Sequence, residues 1–107
     1  MRQLDVRLSH DAEADLKSIY LSLLEYTGSG ALAIGFIRRI RTKCIGIGGA
    51  PRAGRVRHDL MEGLRFVSFE RKAMIAYRIE RDTVVVLNIF WAGRDYEAFY
   101  LDDDKQG

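Results

Sequence analysis

Residues 63–91 read GLRFVSFERKAMIAYRIERDTVVVLNIFW, and this stretch decides the fold. The runs Leu64–Phe69, Ala73–Glu80 and Thr83–Trp91 are rich in Val, Ile, Phe and Tyr, side chains that suit a pleated, half-buried surface. The links between them, Glu70-Arg71-Lys72 and Arg81-Asp82, are short enough to force antiparallel neighbours. The last run, TVVVLNIFW, is apolar on both faces and belongs at the centre of a sheet covered on both sides.

Upstream, Leu4, Val6 and Leu8 alternate with Asp5 and Arg7, the pattern of a half-buried strand. Ser9 reads as a helix N-cap, with Asp11, Glu13 and Asp15 in the early turns where the helix dipole favours acids. Ala12, Leu16, Ile19, Leu23 and Tyr26 follow at three- and four-residue spacing, which predicts a helix from about His10 to Tyr26. Gly28-Ser29-Gly30 breaks it. A second helix starts near Ala31, carries the stripe Ala33, Phe36 or Ile37, Ile40, Cys44 and Ile47, and stops at Gly48-Gly49 before Pro51. Two helices joined by so short a break pack as an antiparallel hairpin. Asp95 reads as the N-cap of a short helix ending near Leu101, and residues 102–107 (DDDKQG) as a disordered acidic tail. The order is β-α-α-β-β-β: an α+β fold, one domain over residues 1–101, with a helical hairpin packed on a twisted antiparallel sheet.

A chain of 107 residues suffices for one core, and 48% hydrophobic with 30% charged residues is ordinary for a soluble globule. No apolar run approaches the roughly 20 residues a membrane span requires, so no membrane partner is expected. The start, MRQLDVRLSHD, lacks the apolar core of a signal peptide, and the expected compartment is the cytoplasm. The lone Cys44 cannot form an internal disulfide and sits on an apolar stripe as an inert thiol. Two His and one Cys at unrelated positions make no metal set, and no cofactor is expected. Gly46, Gly48 and Gly49 end a helix rather than begin one, so the dipole there has the wrong sign for an anion.

Net charge is only +2, but it is segregated: Arg38 to Arg81 holds twelve Lys/Arg against four Asp/Glu, and the residues from Asp82 onward hold two against six. Such segregation makes a local positive field for an anionic partner: nucleic acid, an acidic protein surface or an acidic peptide. Arg38, Arg39, Arg41 and Lys43 on the outer face of the second helix suit an acidic amphipathic segment. Arg55 and Arg57 flank a loop, as solvated side chains or as phosphate contacts. Arg65 is either a functional anchor or the partner of a carboxylate such as Glu62 or Asp95. Trp91 reads as a core or rim aromatic before a stacking platform. Arg94 is left to point outward if Asp95 caps the next turn, and Tyr100 packs the C-terminal turn or offers a phenol. The neighbours His58 and Asp59 are a very weak signal for a general base.

The element order, with G-L-R at Gly63–Arg65 opening the meander and R-D at Arg94-Asp95 closing it, resembles the RelE/ParE superfamily of toxins from type II toxin–antitoxin pairs. A-x-x-D-L at Ala12–Leu16, P-x-x-G at Pro51–Gly54 and Tyr77 in the middle strand fall where ParE-like members have them. The resemblance covers about Leu4 to Tyr100. It implies a cognate antitoxin, ParD-like or similar, and one of two targets. RelE-like members cut mRNA on the ribosome with basic residues on the sheet; ParE-like members are described as poisons of DNA gyrase that lack that set. Here Arg65 stands where the nucleases carry one Lys, and Arg94 and Tyr100 stand near an Arg and a terminal Tyr. Val67 and Met74 replace a second Lys and an Arg, and Trp91 stands where some members place a His. Cleavage through a 2′-hydroxyl requires a proton acceptor and preorganised charge on the phosphorane, and each missing cation costs on the order of 10²-fold. The resemblance therefore implies a ParE-like gyrase poison without catalytic residues, with Arg65, Arg94, Trp91, Tyr100, Arg55 and Arg57 as target-binding candidates. A ribosome-dependent nuclease and a non-toxic antitoxin-binding homologue are the alternatives.

Overall fold

The computed structural model of the chain describes residues 3–91 and 93–106, the last five as backbone only. Strand β1 (Asp5–Leu8) leads into helices α1 (His10–Thr27) and α2 (Gly30–Ile47). Four strands follow: β2 (Arg55–Val56), β3 (Arg65–Phe69), β4 (Ala73–Glu80) and β5 (Thr83–Trp91), then α3 (Tyr96–Gln106). They form one five-stranded sheet in the order β1-β5-β4-β3-β2.

Two expectations about the sheet are corrected. It is mixed, because β1 lies parallel to β5, in register from Asp5↔Thr83 to Leu8↔Val86. The hairpin α1–α2 serves as the crossover that a parallel pair requires. The loop before Gly63 also contributes a strand of two residues, β2, pairing Arg55 with Phe66 and Val56 with Arg65. Two residues leave too little pattern to read from sequence. As expected, β5 is central: Val84, Val86, Ile89 and Phe90 are all buried. A bulge at Leu87 sets Ala76 opposite Asn88 but Tyr77 opposite Val86.

The bulge sorts the last residues of β5 between two cores. Ile89 and Trp91 join Ile75, Tyr77 and Val84 under the hairpin, against Ala12, Leu16, Phe36, Ile40 and Cys44. Phe90 joins Leu60, Leu64, Phe66, Ala76 and Tyr100 on the opposite face, which α3 and the loop before Gly63 cover. The predicted stripe of α2 is buried as read, whereas Tyr26 of α1 projects into solvent, 89% exposed. Tyr26 lies in the last turn, beyond the reach of the sheet.

The caps follow the sequence. Ser9 accepts from the Ala12 N–H at 3.0 Å and also donates to the Leu87 carbonyl at 2.8 Å, tying α1 to β5. Ser29 caps α2, and Asp95 caps α3 by accepting from Ala98 N–H at 3.1 Å. Helix α3 then continues to Gln106 rather than stopping near Leu101, since no Gly or Pro intervenes before Gly107. The backbone of the expected tail is thus helical as far as Gln106; its side chains, and all of Gly107, lie outside the described residues. Gly48 is fixed by contact: the Leu4 N–H donates to its carbonyl at 2.9 Å, and a Cβ there would meet the Leu4 oxygen at 2.2 Å.

Candidate functional site

Three of the sequence motifs converge on one lock. The Tyr77 hydroxyl donates to the Pro51 carbonyl at 2.8 Å and accepts from the buried Gly54 N–H at 3.0 Å. A Cβ on Gly54 would stand 2.4 Å from that hydroxyl, so only glycine lets the loop close on it. Arg65 donates from one nitrogen to the carbonyls of Arg52 and Gly54, both at 3.0 Å. The P-x-x-G loop, the Arg of G-L-R and the strand tyrosine thus satisfy one another's polar groups. Burial raises the Tyr77 pKa, against the Gly54 hydrogen bond and the Arg65 charge, which lower it. Arg65 has backbone carbonyls where a carboxylate partner was one expectation.

The other loop cations divide. Arg57 holds Asp59 with two hydrogen bonds of 2.9 and 2.7 Å and reaches Glu97 of α3 at 2.6 Å, which together raise its pKa. It is neutralised twice over and staples the loop to α3. Arg55 is exposed, with one long contact of 3.4 Å to the Tyr96 hydroxyl. His58 accepts the Gly63 N–H on Nδ1 at 3.0 Å while Asp59 faces Arg57, so the two neighbours do not form a base pair for proton transfer.

On the α3 face, Tyr100 is 3% exposed and donates to Asn88 Oδ1 at 2.8 Å. Asn88 donates in turn to Asp15 at 3.3 Å, and Asp15 accepts the Ile89 N–H at 2.9 Å. The acid of A-x-x-D-L therefore satisfies the β5 backbone beyond the end of β1, and burial raises its pKa. Trp91 packs edge-on to Phe36 with centroids 5.1 Å apart, a core role rather than a stacking platform. Arg94 is exposed; its guanidinium lies 5.9 Å from the Phe90 ring and 5.7 Å from Phe99.

These placements separate residues that the comparison with nucleases had grouped. Val67, packed into the hairpin core, stands on the Arg65 face of β3, whereas Phe66 between them faces α3. Met74 packs on the α3 face and lines a cavity with Arg94. Arg65 consequently stands on the hairpin face of β3, whereas Arg94 follows β5 and borders both Met74 on the α3 face and Asp15, Ile89 and Trp91 on the hairpin face. Among the described residues, no cluster of His, Cys, Asp and Glu fits a metal ion.

On the hairpin, Arg39 binds Glu70 through two hydrogen bonds of 2.8 and 3.1 Å, and Arg41 binds Glu13 at 3.2 and 2.5 Å. Arg38 and Lys43 are exposed, and Ile34 and Ile45 on the same helix are 40% and 57% exposed. The spacing of Ile34, Arg38, Arg41 and Ile45 puts them on one helical face. Cys44 is buried beneath it, its pKa pushed up to about 12 by desolvation. Among the described residues, no helix is long and apolar enough to cross a membrane.

The family model for the ParE toxin of type II toxin–antitoxin systems, parDE, matches residues 6–96. A solved chain described as the chromosomal ParDE toxin–antitoxin system from P. aeruginosa superposes with a TM-score of 0.73 at 20% identity, covering 84% of this chain and 97% of its own. The isolated E. coli RelE toxin superposes with a TM-score of 0.57 at 13% identity, over 96% of this chain and 97% of its own. At these identities the two structures establish the shared fold. A search of curated proteins found no match.

Proposed function

The chain belongs to the ParE toxin family of type II toxin–antitoxin systems, and we propose that it poisons DNA gyrase by binding rather than by cutting RNA. One observation carries the choice: the residues a sheet nuclease would need are not assembled. Val67 and Met74 are apolar and lie on opposite faces, Arg65 is committed to two loop carbonyls, and the Tyr100 hydroxyl donates to Asn88. Acid–base cleavage needs a proton acceptor within hydrogen-bond reach of the 2′-hydroxyl and cations around the phosphorane. A toxin that stabilises a gyrase–DNA cleavage intermediate needs neither.

The cognate antitoxin is a ParD-like protein whose acidic amphipathic segment covers the outer face of the hairpin. Ile34 and Ile45 offer apolar anchors, and Arg38 on the same face the charge that orients the encounter, whereas Lys43 points round the helix toward Val67 and Tyr77. Association should therefore slow as salt rises; an on-rate indifferent to salt would remove the electrostatic part of this reading.

The target is tested by inducing the protein in cells that lack the antitoxin. A DNA-damage response with filamentation is expected. Codon-dependent cuts in messages would identify a ribosome-dependent nuclease, and normal growth would identify a non-toxic homologue.

A further inference from the structure

The turn between β3 and β4 holds two consecutive non-glycine residues in the left-handed region, Glu70 at φ 51° and Arg71 at φ 57°, closed by the Lys72 N–H on the Phe69 carbonyl at 2.9 Å. Positive φ at both central positions is the type I′ geometry, for which Asn-Gly is the usual sequence. Arg81 in the neighbouring hairpin is also left-handed, so one such residue is a hairpin requirement. Two in a row, both with long side chains, are an added strain that glycine would relieve. Glu70 is fastened from behind by the bidentate Arg39, which fixes the turn against α2. Its next two residues, Arg71 and Lys72, stand on the rim of a cavity of about 180 Å³ on the α3 face.

The cavity has a consistent chemistry. Arg71, Lys72 and Arg94 form its cationic rim, Met74, Phe90 and Tyr96 supply apolar and aromatic surface, and among the described residues no carboxylate lines it. It is smaller than the roughly 300–1,000 Å³ of drug-sized ligand pockets, so it admits one ring system. An apolar and aromatic recess bordered by three cations matches one nucleotide: a base in the recess, with flanking phosphates on the rim. A paired and stacked base cannot enter it. We propose that this cavity binds one unstacked nucleotide of a single-stranded nucleic acid, and that the strained Glu70-Arg71 turn exists to hold Arg71 and Lys72 over it. Two of the three cations, Arg71 and Lys72, lie outside the set compared above with the nucleases; Arg94 belongs to it. It holds whether or not gyrase is the target, and its test uses neither gyrase nor ribosome.

The test measures fluorescence anisotropy of the full chain with a labelled short single-stranded DNA, the RNA of the same sequence, and a blunt hairpin duplex. Single strands should bind more tightly than duplex, and the better of DNA and RNA identifies the natural source. Three phosphate contacts give a log–log salt slope near −2, at about −0.7 per contact. Arg71→Gly should weaken single-strand binding about ten-fold, the value of one charge-assisted hydrogen bond, and lower the slope by about 0.7. It should also raise the melting temperature by a few degrees, because glycine accepts the left-handed backbone. Arg94→Ala should weaken binding similarly, and Lys17→Ala, an exposed cation of α1 that does not line the cavity, should not. Duplex bound as tightly as single strand, no binding of any oligonucleotide, or loss with Lys17→Ala equal to that with Arg71→Gly would overturn the proposal. So would Arg71→Gly lowering both melting temperature and affinity, since Arg71 would then be structural.

Discussion

Replacing Tyr77 by phenylalanine removes one oxygen and, with it, the closure of the Pro51–Gly54 loop. The hydroxyl has two partners, the Pro51 carbonyl at 2.8 Å and the Gly54 N–H at 3.0 Å. Gly54 is buried, so its N–H loses its partner inside the fold after the substitution. An orphaned buried donor costs about 1–3 kcal/mol, and losing the second bond about 0.5–1.5 kcal/mol. The expected destabilisation is therefore about 2–4 kcal/mol, with a fall in melting temperature of about 10 °C or more for a domain of this size. Urea unfolding followed by the fluorescence of the single tryptophan, Trp91, measures it, with an unchanged slope showing that the unfolded state is unaffected. Arg65→Ala should be coupled to it, because Arg65 holds the Arg52 and Gly54 carbonyls of the same loop. In a double-mutant cycle, the pair should cost measurably less than the sum of the singles. A Tyr77→Phe loss below about 0.5 kcal/mol, or strict additivity with Arg65→Ala, would refute the lock and return Arg65 to the list of target contacts.

Gly54→Ala should cost about 1–3 kcal/mol through overpacking against Tyr77, and less on a Tyr77→Phe background, where the nearest clashing atom is gone; equal costs on both backgrounds would contradict this. Asp15 is held above the usual carboxyl range chiefly by burial, so the folded state takes up its proton first, and this group adds stability as pH falls through its raised value toward 3.8. Glu13, Asp59, Glu70 and Glu80 are held low mainly by hydrogen bonds from Arg41, Arg57, Arg39 and Arg78, and their contribution is lost as pH falls through their folded values. Melting curves from pH 7 to pH 4 should thus fall more steeply for Asp15→Asn than for the parent, and parallel curves would refute the assignment. With its pKa near 12 and no exposure, Cys44 should resist alkylation at pH 8 until urea unfolds the chain. Rapid labelling of the folded protein would contradict that burial.

The sequence made the elements legible where period and breaker agreed. The stripe of α2, the Ser9 and Asp95 caps and the central place of β5 all appear as read, because local chemistry and burial point the same way. Pairing direction was not local: nothing within Leu4–Leu8 says that its partner is Thr83–Val86, and the parallel β1–β5 pair emerges only once the hairpin crosses over. The site was less legible for a related reason. Order along the chain groups Arg65, Val67, Met74 and Arg94, but strand alternation puts Arg65 and Val67 on the hairpin face and Met74 on the other. Arg57 and Tyr100 read as available polar groups until Glu97 and Asn88 arrived from distant segments. The strained turn could have been suspected, since Glu-Arg-Lys is an unusual sequence between two short-linked strands; its fastening by Arg39 could not, because 31 residues separate the partners.

Gripping gyrase and cutting RNA are distinct chemistries, and one side-by-side assay separates them. Purified protein is added to gyrase with supercoiled plasmid and ATP, and in parallel to ribosomes stalled on a defined message. Linear plasmid should accumulate in the first reaction, and the message should remain intact in the second. Cleaved message with normal supercoiling would contradict the account outright.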